Sequence, residues 1–287
     1  MIYISLTTVP LRLKYWDLFK QCLDGLLGQK TDKDYRIVLN IPYFYAMKDN
    51  EPYIIPDELI EFAKNTPKLI INREEVDYGP ILKVIGGVKI ATNPDDIIIA
   101  LDDDYVYHED MLEFHVKKLS QYSRHAICFT GDNGVDVRRW TDENGVKKYA
   151  YLGNSFYIPP LCDHYLLVPG HWHSVSYRRY YFKDDWNEHV WKLSTGDDLV
   201  MGYYLKKNKL FAICTAWDKE TDWRPVNHCG RWAISFPLVR DIFYPVTEDT
   251  AGHLIRRTFG GNHGREDQEL IDLLHEKLDF YIDDYEQ

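Results

Sequence analysis

The chain has 287 residues, enough for one large domain or two halves sharing a cleft, and its 45% hydrophobic and 15% aromatic content can fill a core without staples. A formal net charge of -11 argues against a sequence-independent nucleic-acid binder, which needs a broad cationic footprint, while pairs such as Arg138-Arg139, Arg178-Arg179 and Arg256-Arg257 still leave room for a small anionic ligand. Five dispersed cysteines with no C-x-x-C spacing exclude a zinc ribbon or a thioredoxin motif. With no leader and no membrane-spanning run in view, they lead to the expectation of a cytoplasmic protein of a bacterium or a virus-infected cell.

The chain opens on a β-rich run, Ile2 to Leu6, broken by Thr7-Thr8-Val9-Pro10. Trp16, Phe19, Leu23 and Leu26-Leu27 then recur at helical spacing. Arg36 to Ile41 reads as a second strand stopped by Pro42, Pro56-Asp57-Glu58 as a helix start, and Lys68 to Ile71 as a third strand. A helix is predicted from Pro80 to Ala91 despite Gly86-Gly87. Asp96 to Leu101 is a continuous apolar run after its first residue, the pattern of a strand covered on both faces, and a helix from Glu109 to Tyr122 follows. This alternation predicts a doubly wound α/β fold with a mostly parallel sheet, whose ligands sit at the carboxyl ends of the strands. The second half is less regular, rich in Tyr, Trp, His and Pro, and closes on a predicted helix from Glu266 to Tyr281. No linker separates the halves, so one domain over residues 1–287 is expected.

Asp102-Asp103-Asp104 follows the buried run directly. Strand alternation would put Asp102 and Asp104 on one face and Asp103 on the other. Carboxylates this close repel unless a proton or cation intervenes, and a hard divalent cation takes oxygen ligands. The alternative is a polar turn leading into the next helix. A second acidic string, Ser194-Thr195-Gly196-Asp197-Asp198, suits the capped, acidic first turn of a helix. His171-Trp172-His173 follows Pro169-Gly170 and could touch a substrate; zinc is disfavoured because no third and fourth ligand lie near in sequence.

Ile97 to Asp104 looks like the Asp-x-Asp segment of GT-A fold glycosyltransferases, which use nucleotide-sugar donors. Leu6 to Arg12 resembles their first strand and donor-binding loop. Asp77-Tyr78-Gly79-Pro80-Ile81-Leu82-Lys83 resembles a segment preceding the Asp-x-Asp strand in capsule-type and viral relatives, and the strand ends bear a more distant similarity to the exostosin-like branch. The resemblance runs in order from residue 2 to about Lys206. It implies a GT-A fold with a donor half over about residues 1–104 and an acceptor half over about 105–287, acting with Mn²⁺ or Mg²⁺ on a UDP- or GDP-sugar and a glycan hydroxyl. By the same resemblance, Thr7, Thr8 and Arg12 would line base and ribose, and Asp77 and Lys83 would lie beside the nucleotide. Lys83 would be a phosphate partner or, alternatively, an exposed helix lysine. Asp102 and Asp103 would contact the donor, and Asp104, with Asp102, would hold the metal. The Gly-Asp-Asp string takes the place of a Gly-Glu-Asp-like element, making Asp198 a catalytic base or, in retaining members, a group holding substrate, with Asp197 beside it. A late histidine, His263 rather than His228 or His253, would join the metal, and Arg265 or Arg256 would fork onto phosphate. A sugar nucleotidyltransferase, disfavoured because Thr7 to Arg12 lacks glycines, and a noncatalytic carbohydrate-binding protein remain as alternatives.

Overall fold

The computed structural model describes residues 1–45, 51–141, 147–156, 163–166, 168–171, 173–183, 186, 197–215 and 232–233. The elements in order are β1 (Ile2–Thr7), α1 (Pro10–Leu13), α2 (Trp16–Leu27), β2 (Tyr35–Pro42), β3 (Phe44–Tyr45), β4 (Glu51–Pro52), α3 (Asp57–Lys64), β5 (Leu69–Glu74) and, after a 3₁₀ turn at Gly79–Ile81, α4 (Leu82–Ile90). There follow β6 (Ile97–Ala100), β7 (Tyr105–Val106), α5 (Met111–Gln121), β8 (His125–Cys128), β9 (Gly131–Thr141), β10 (Lys147–Phe156), β11 (His164–Leu166), β12 (Val168–Pro169), β13 (Val175–Arg178), α6 (Asp197–Lys207), β14 (Phe211–Cys214) and β15 (Trp232–Ala233). The predicted terminal helix lies outside the described residues.

Eight strands form the central sheet in the order β11-β14-β8-β13-β6-β1-β2-β5. β5, β2, β1 and β6 run parallel, as the β-α alternation predicts. β13 is the departure: it lies antiparallel between β6 and β8, and β11 lies antiparallel on β14 at the far edge. β9 and β10 form a long antiparallel hairpin outside this sheet.

Alternation along the strands divides the core in two. Ile98 and Ala100 of β6 face a cluster with Leu82, Ile85 and Val88 of α4 and Val200, Met201 and Leu205 of α6. Ile97, Ile99 and Leu101 face the opposite cluster, with Phe19, Leu23 and Leu26 of α2, Leu59 of α3 and Met111, Leu112 and Leu119 of α5. Helices therefore cover both faces, which is why β6 carries no polar residue. Gly86 and Gly87 let α4 settle close on the sheet. A Cβ on Gly86 would fall 1.7 Å from Asn40 Oδ1, and one on Gly87 2.7 Å from Ile98 Cγ2. The buried Asn40 is itself tied down, donating to Ser5 Oγ and the Leu6 carbonyl and accepting from Asn72, each at 2.9 Å.

Candidate active site

β1 sits between β2 and β6, so the loops after β1 and β6 open side by side at the carboxyl end of the sheet. Arg12, on α1, spans that gap: its guanidinium donates to Asp103 Oδ1 and, at 2.9 Å, to Asp104 Oδ2. The strand geometry expected for the three aspartates does not hold throughout, because β6 ends at Ala100 and the chain bends at Asp103 and Asp104. Asp102 keeps the α4 side of the sheet, and Asp103 and Asp104 both turn to Arg12.

Asp102 Oδ1 accepts from Lys83 Nζ at 2.5 Å. The same ammonium lies 2.7 Å from Asp197 Oδ2, within ion-pair reach though off the direction of a hydrogen bond. Only 3% of the Lys83 side chain is exposed, so it is not the exposed helix lysine that the sequence left open. Its head group, expected on phosphate, is taken up by two carboxylates that belong to separate acidic strings. Burial opposes its charge, but Asp102, Asp197 and Asp198 together push its pKa up. Asp102 is held below the usual carboxylate range, Lys83 outweighing burial. Burial and Asp102 raise Asp104 against the pull of Arg12.

Asp197 and Asp198 occupy the first turn of α6, as the sequence predicts; Thr195, the expected cap, lies outside the described residues. Asp198 Oδ1 accepts from the backbone N–H of His171 at 2.9 Å and lies 2.6 Å from His171 Nδ1. The other ring nitrogen, Nε2, is 2.7 Å from the Tyr177 hydroxyl on β13. Burial and the charge of Asp197 push the Asp198 carboxyl up, opposed by His171. Tyr177 was not singled out in the sequence. Its signal was weak, because β13 is four residues long and holds a serine and an arginine. The ligands that His171 lacked in sequence lie next to it in space: His171, Asp197 and Asp198 converge closely enough to hold an ion. Here, however, the Lys83 ammonium already stands beside Asp197.

On the outer side of Arg12, Thr7 donates to the Asn40 carbonyl at 2.9 Å, and Asp77 accepts from the N–H of Gly79 at 2.8 Å. Gly79 takes φ 68°, which only glycine adopts readily. Tyr53, a buried residue the sequence did not point to, feels the charges of Asp77 and Arg12. Burial, then Tyr45 and Asp77, raise its phenol well above normal, while Thr8 and Arg12 oppose the shift. The structure thus gathers Thr8, Arg12, Asp77, Lys83, Asp102, Asp103, Asp104, Asp197 and Asp198 along one end of the sheet. His228, His253, His263, Arg256 and Arg265 lie outside the described residues.

Among the described residues, no helix is long and apolar enough to cross a membrane. No curated protein matches the chain. The family model described as glycosyl transferase family 2 matches residues 9–190, which takes in Arg12, Asp77, Lys83 and the three aspartates after β6 and stops short of α6. The nucleotidyltransferase and noncatalytic alternatives fall with that match. With most of its length matched and a mostly parallel sheet of the GT-A kind, the chain belongs to glycosyl transferase family 2 and is a glycosyltransferase that draws on a nucleotide-sugar donor.

Proposed function

We propose that the enzyme is metal-dependent and transfers the sugar of a UDP- or GDP-sugar to a glycan hydroxyl, as one domain with a donor half before Asp104 and an acceptor half after it. The observation that carries the metal reading is a charge imbalance. Among the described residues, five carboxylates, Asp102, Asp103, Asp104, Asp197 and Asp198, share two permanent cations, Arg12 and Lys83. Asp103 Oδ2 and Asp104 Oδ1 are buried without a hydrogen-bond partner among the described residues. Unpaired buried oxygens of like charge suit a hard divalent cation. Asp104, with Asp102 beside it, would hold Mn²⁺ or Mg²⁺, which when bound supplies positive charge to the departing diphosphate. His263 remains a proposed further ligand and Arg265 a proposed phosphate contact.

In this reading Thr7, Thr8 and Arg12 line the nucleotide, with Asp77 across from them, and Arg12 also fixes Asp103 and Asp104. Lys83 holds Asp102 and Asp197 at a set separation. Asp198, across the cleft, removes the proton of the acceptor hydroxyl as that oxygen attacks the anomeric carbon, while Asp197 binds acceptor or sugar hydroxyls. One direct displacement with one base inverts the anomeric centre.

A panel of UDP- and GDP-sugars with Mn²⁺, scored by nucleoside diphosphate release, tests the reading. Release from at least one donor, abolished by EDTA and by Asp104→Asn, is expected. Full activity of Asp104→Asn in EDTA would sink the metal assignment. NMR of the product linkage gives the stereochemistry, and a product anomer matching the donor would reject inversion.

A further inference from the structure

The contacts behind Asp198 are more specific than a base alone requires. His171 has no exposed surface in its side chain, whereas Asp198 keeps 37% of its own. Asp198 can therefore meet an acceptor, and His171 can act only through it. A backbone N–H can only donate, so Asp198 Oδ1 is an acceptor toward His171 in any protonation state. The ring nitrogen 2.6 Å away reaches the same oxygen. At the far end of the imidazole, Tyr177 is fully buried, and burial, then Cys128, Asp198 and Asp197, hold its phenol well above the ordinary range. Its O–H is thus available to donate to Nε2, which leaves the ring proton on Nδ1.

We propose that His171 is a positioning residue for Asp198: its Nδ1–H and its backbone N–H both hold Oδ1, so that Oδ2 faces the acceptor, and the Tyr177 hydroxyl selects the tautomer. This rests on the reading of Asp198 as the base. In the step itself the acceptor O–H bond breaks and its proton goes to Asp198 Oδ2. The freed electron pair forms the new bond to the anomeric carbon, and the bond from that carbon to the diphosphate breaks with its pair leaving on the diphosphate. His171 gains and loses no proton. It favours the carboxylate by two donated hydrogen bonds and fixes which oxygen reacts. Among the described residues, the groups that face this pair are Asp197 on α6, Lys83 on α4, Asp102 beyond β6, and Tyr177 and Cys128 on β13 and β8. Lys83 and Asp197 are ion-paired, so their charges offset each other at the imidazole.

The test uses the full-length enzyme with whichever UDP- or GDP-sugar gives the most release, and compares Asp198→Asn, His171→Leu, His171→Asn and Tyr177→Phe. His171→Leu is expected to lower kcat by roughly 10- to 100-fold, the worth of a hydrogen bond to a charged group, with donor KM within about twofold. The acid limb of its kcat/KM profile moves to higher pH, because the carboxylate has lost a donor that favoured it. His171→Asn, whose amide N–H falls where Nδ1–H was, recovers most of the rate and the original limb. Tyr177→Phe gives a smaller loss in the same direction. ¹⁵N spectra of the wild-type ring show the Nδ1–H tautomer. A folded His171→Leu with normal kcat and an unmoved limb overturns the proposal, as does the Nε2–H tautomer. So does His171→Asn behaving no better than leucine, a comparison that ¹⁵N data and Tyr177→Phe still decide if the leucine variant does not fold. If Asp198→Asn is inactive while the His171 variants are normal, the positioning role alone fails. If Asp198→Asn itself turns over normally, the base reading fails and takes the positioning role with it.

Discussion

The two acidic strings of the cleft are held in different ways. Asp103 and Asp104 hang on a bend beyond a strand and are matched by a guanidinium that comes from α1, a helix of four residues. Asp197 and Asp198 sit on the first turn of a helix of eleven residues, backed by a buried histidine and a buried tyrosine. The first arrangement leaves Asp103 Oδ2 and Asp104 Oδ1 without hydrogen-bond partners; in the second Asp198 Oδ1 is satisfied twice over, and Asp197 Oδ2, though without a hydrogen bond, has the Lys83 ammonium beside it. Open oxygens suit a ligand that arrives from outside; a doubly held oxygen suits a group that must stay aimed. Lys83 is the element common to both, since it touches one carboxylate of each.

The sharpest way to break this contrast is to remove Asp198. If the helix-borne acid is the base, Asp198→Asn lowers kcat by about 10²–10⁴-fold and leaves donor KM nearly unchanged, read by steady-state kinetics. Because burial and Asp197 raise that carboxyl, the rate should fall with decreasing pH above the range of an ordinary aspartate. The active form is the deprotonated one, so the loss begins as pH falls through the raised value. A limb at the usual aspartate position would contradict the assignment. Next in size is Lys83→Met, which strands Asp102 and Asp197 together in a buried place. A loss of about 3–5 kcal/mol is expected from denaturant unfolding. A loss below about 1 kcal/mol, the worth of an exposed pair, would show that the two acidic strings do not depend on a shared cation.

Two further effects test the frame rather than the site. Gly86→Ala would push a methyl into Asn40 and should cost about 1–3 kcal/mol, with Tm as the readout. His115, fully buried between Ser176 and Ser174 at 2.9 and 2.8 Å, is pushed down to about 3 by burial. The unfolded chain takes up that proton near pH 6.5 and the folded one does not. Stability should therefore drop as pH falls from about 6.5 toward 3, by about 1.4 kcal/mol per pH unit from this group. His115→Gln should lack that slope, so that its stability difference from wild type changes by about 1.4 kcal/mol per pH unit over this range, and a variant that keeps the wild-type slope would place the proton elsewhere.

The donor half was legible because its strands are apolar runs and its helices have clear spacing. The helix from Trp16 to Leu27 and the strand from Ile97 to Ala100 fall within the segments expected for them. The helix expected from Glu109 starts instead at Met111, since the Glu109 backbone carbonyl accepts from Lys30 N–H and its carboxylate pairs with Lys30. β13 escaped notice because it is four residues long and one of the three it buries is polar: Ser176 is fully covered, its hydroxyl satisfied by His115, and it interrupts the apolar pattern. The acidic strings were legible as strings. Their partners were not, because Lys83 reaches across from α4 to α6 and His171 meets Asp198 only after β13 and the chain beyond it have folded back.

β13 has a consequence for how such an enzyme can diversify. It is laddered to β6 with Tyr177 opposite Ile98, and to β8 on its other side. Neighbouring strands in a sheet are fixed at roughly 4.8 Å by their backbone hydrogen bonds, whatever side chains they carry. The spacing between β6, which leads into the donor-side acids, and the tyrosine behind Asp198 is therefore a property of the backbone ladder, whereas the acids themselves hang on the bend beyond it. Descendants of this chain can rewrite the segments beyond these strands, while the distance from β6 to Tyr177 is inherited unaltered.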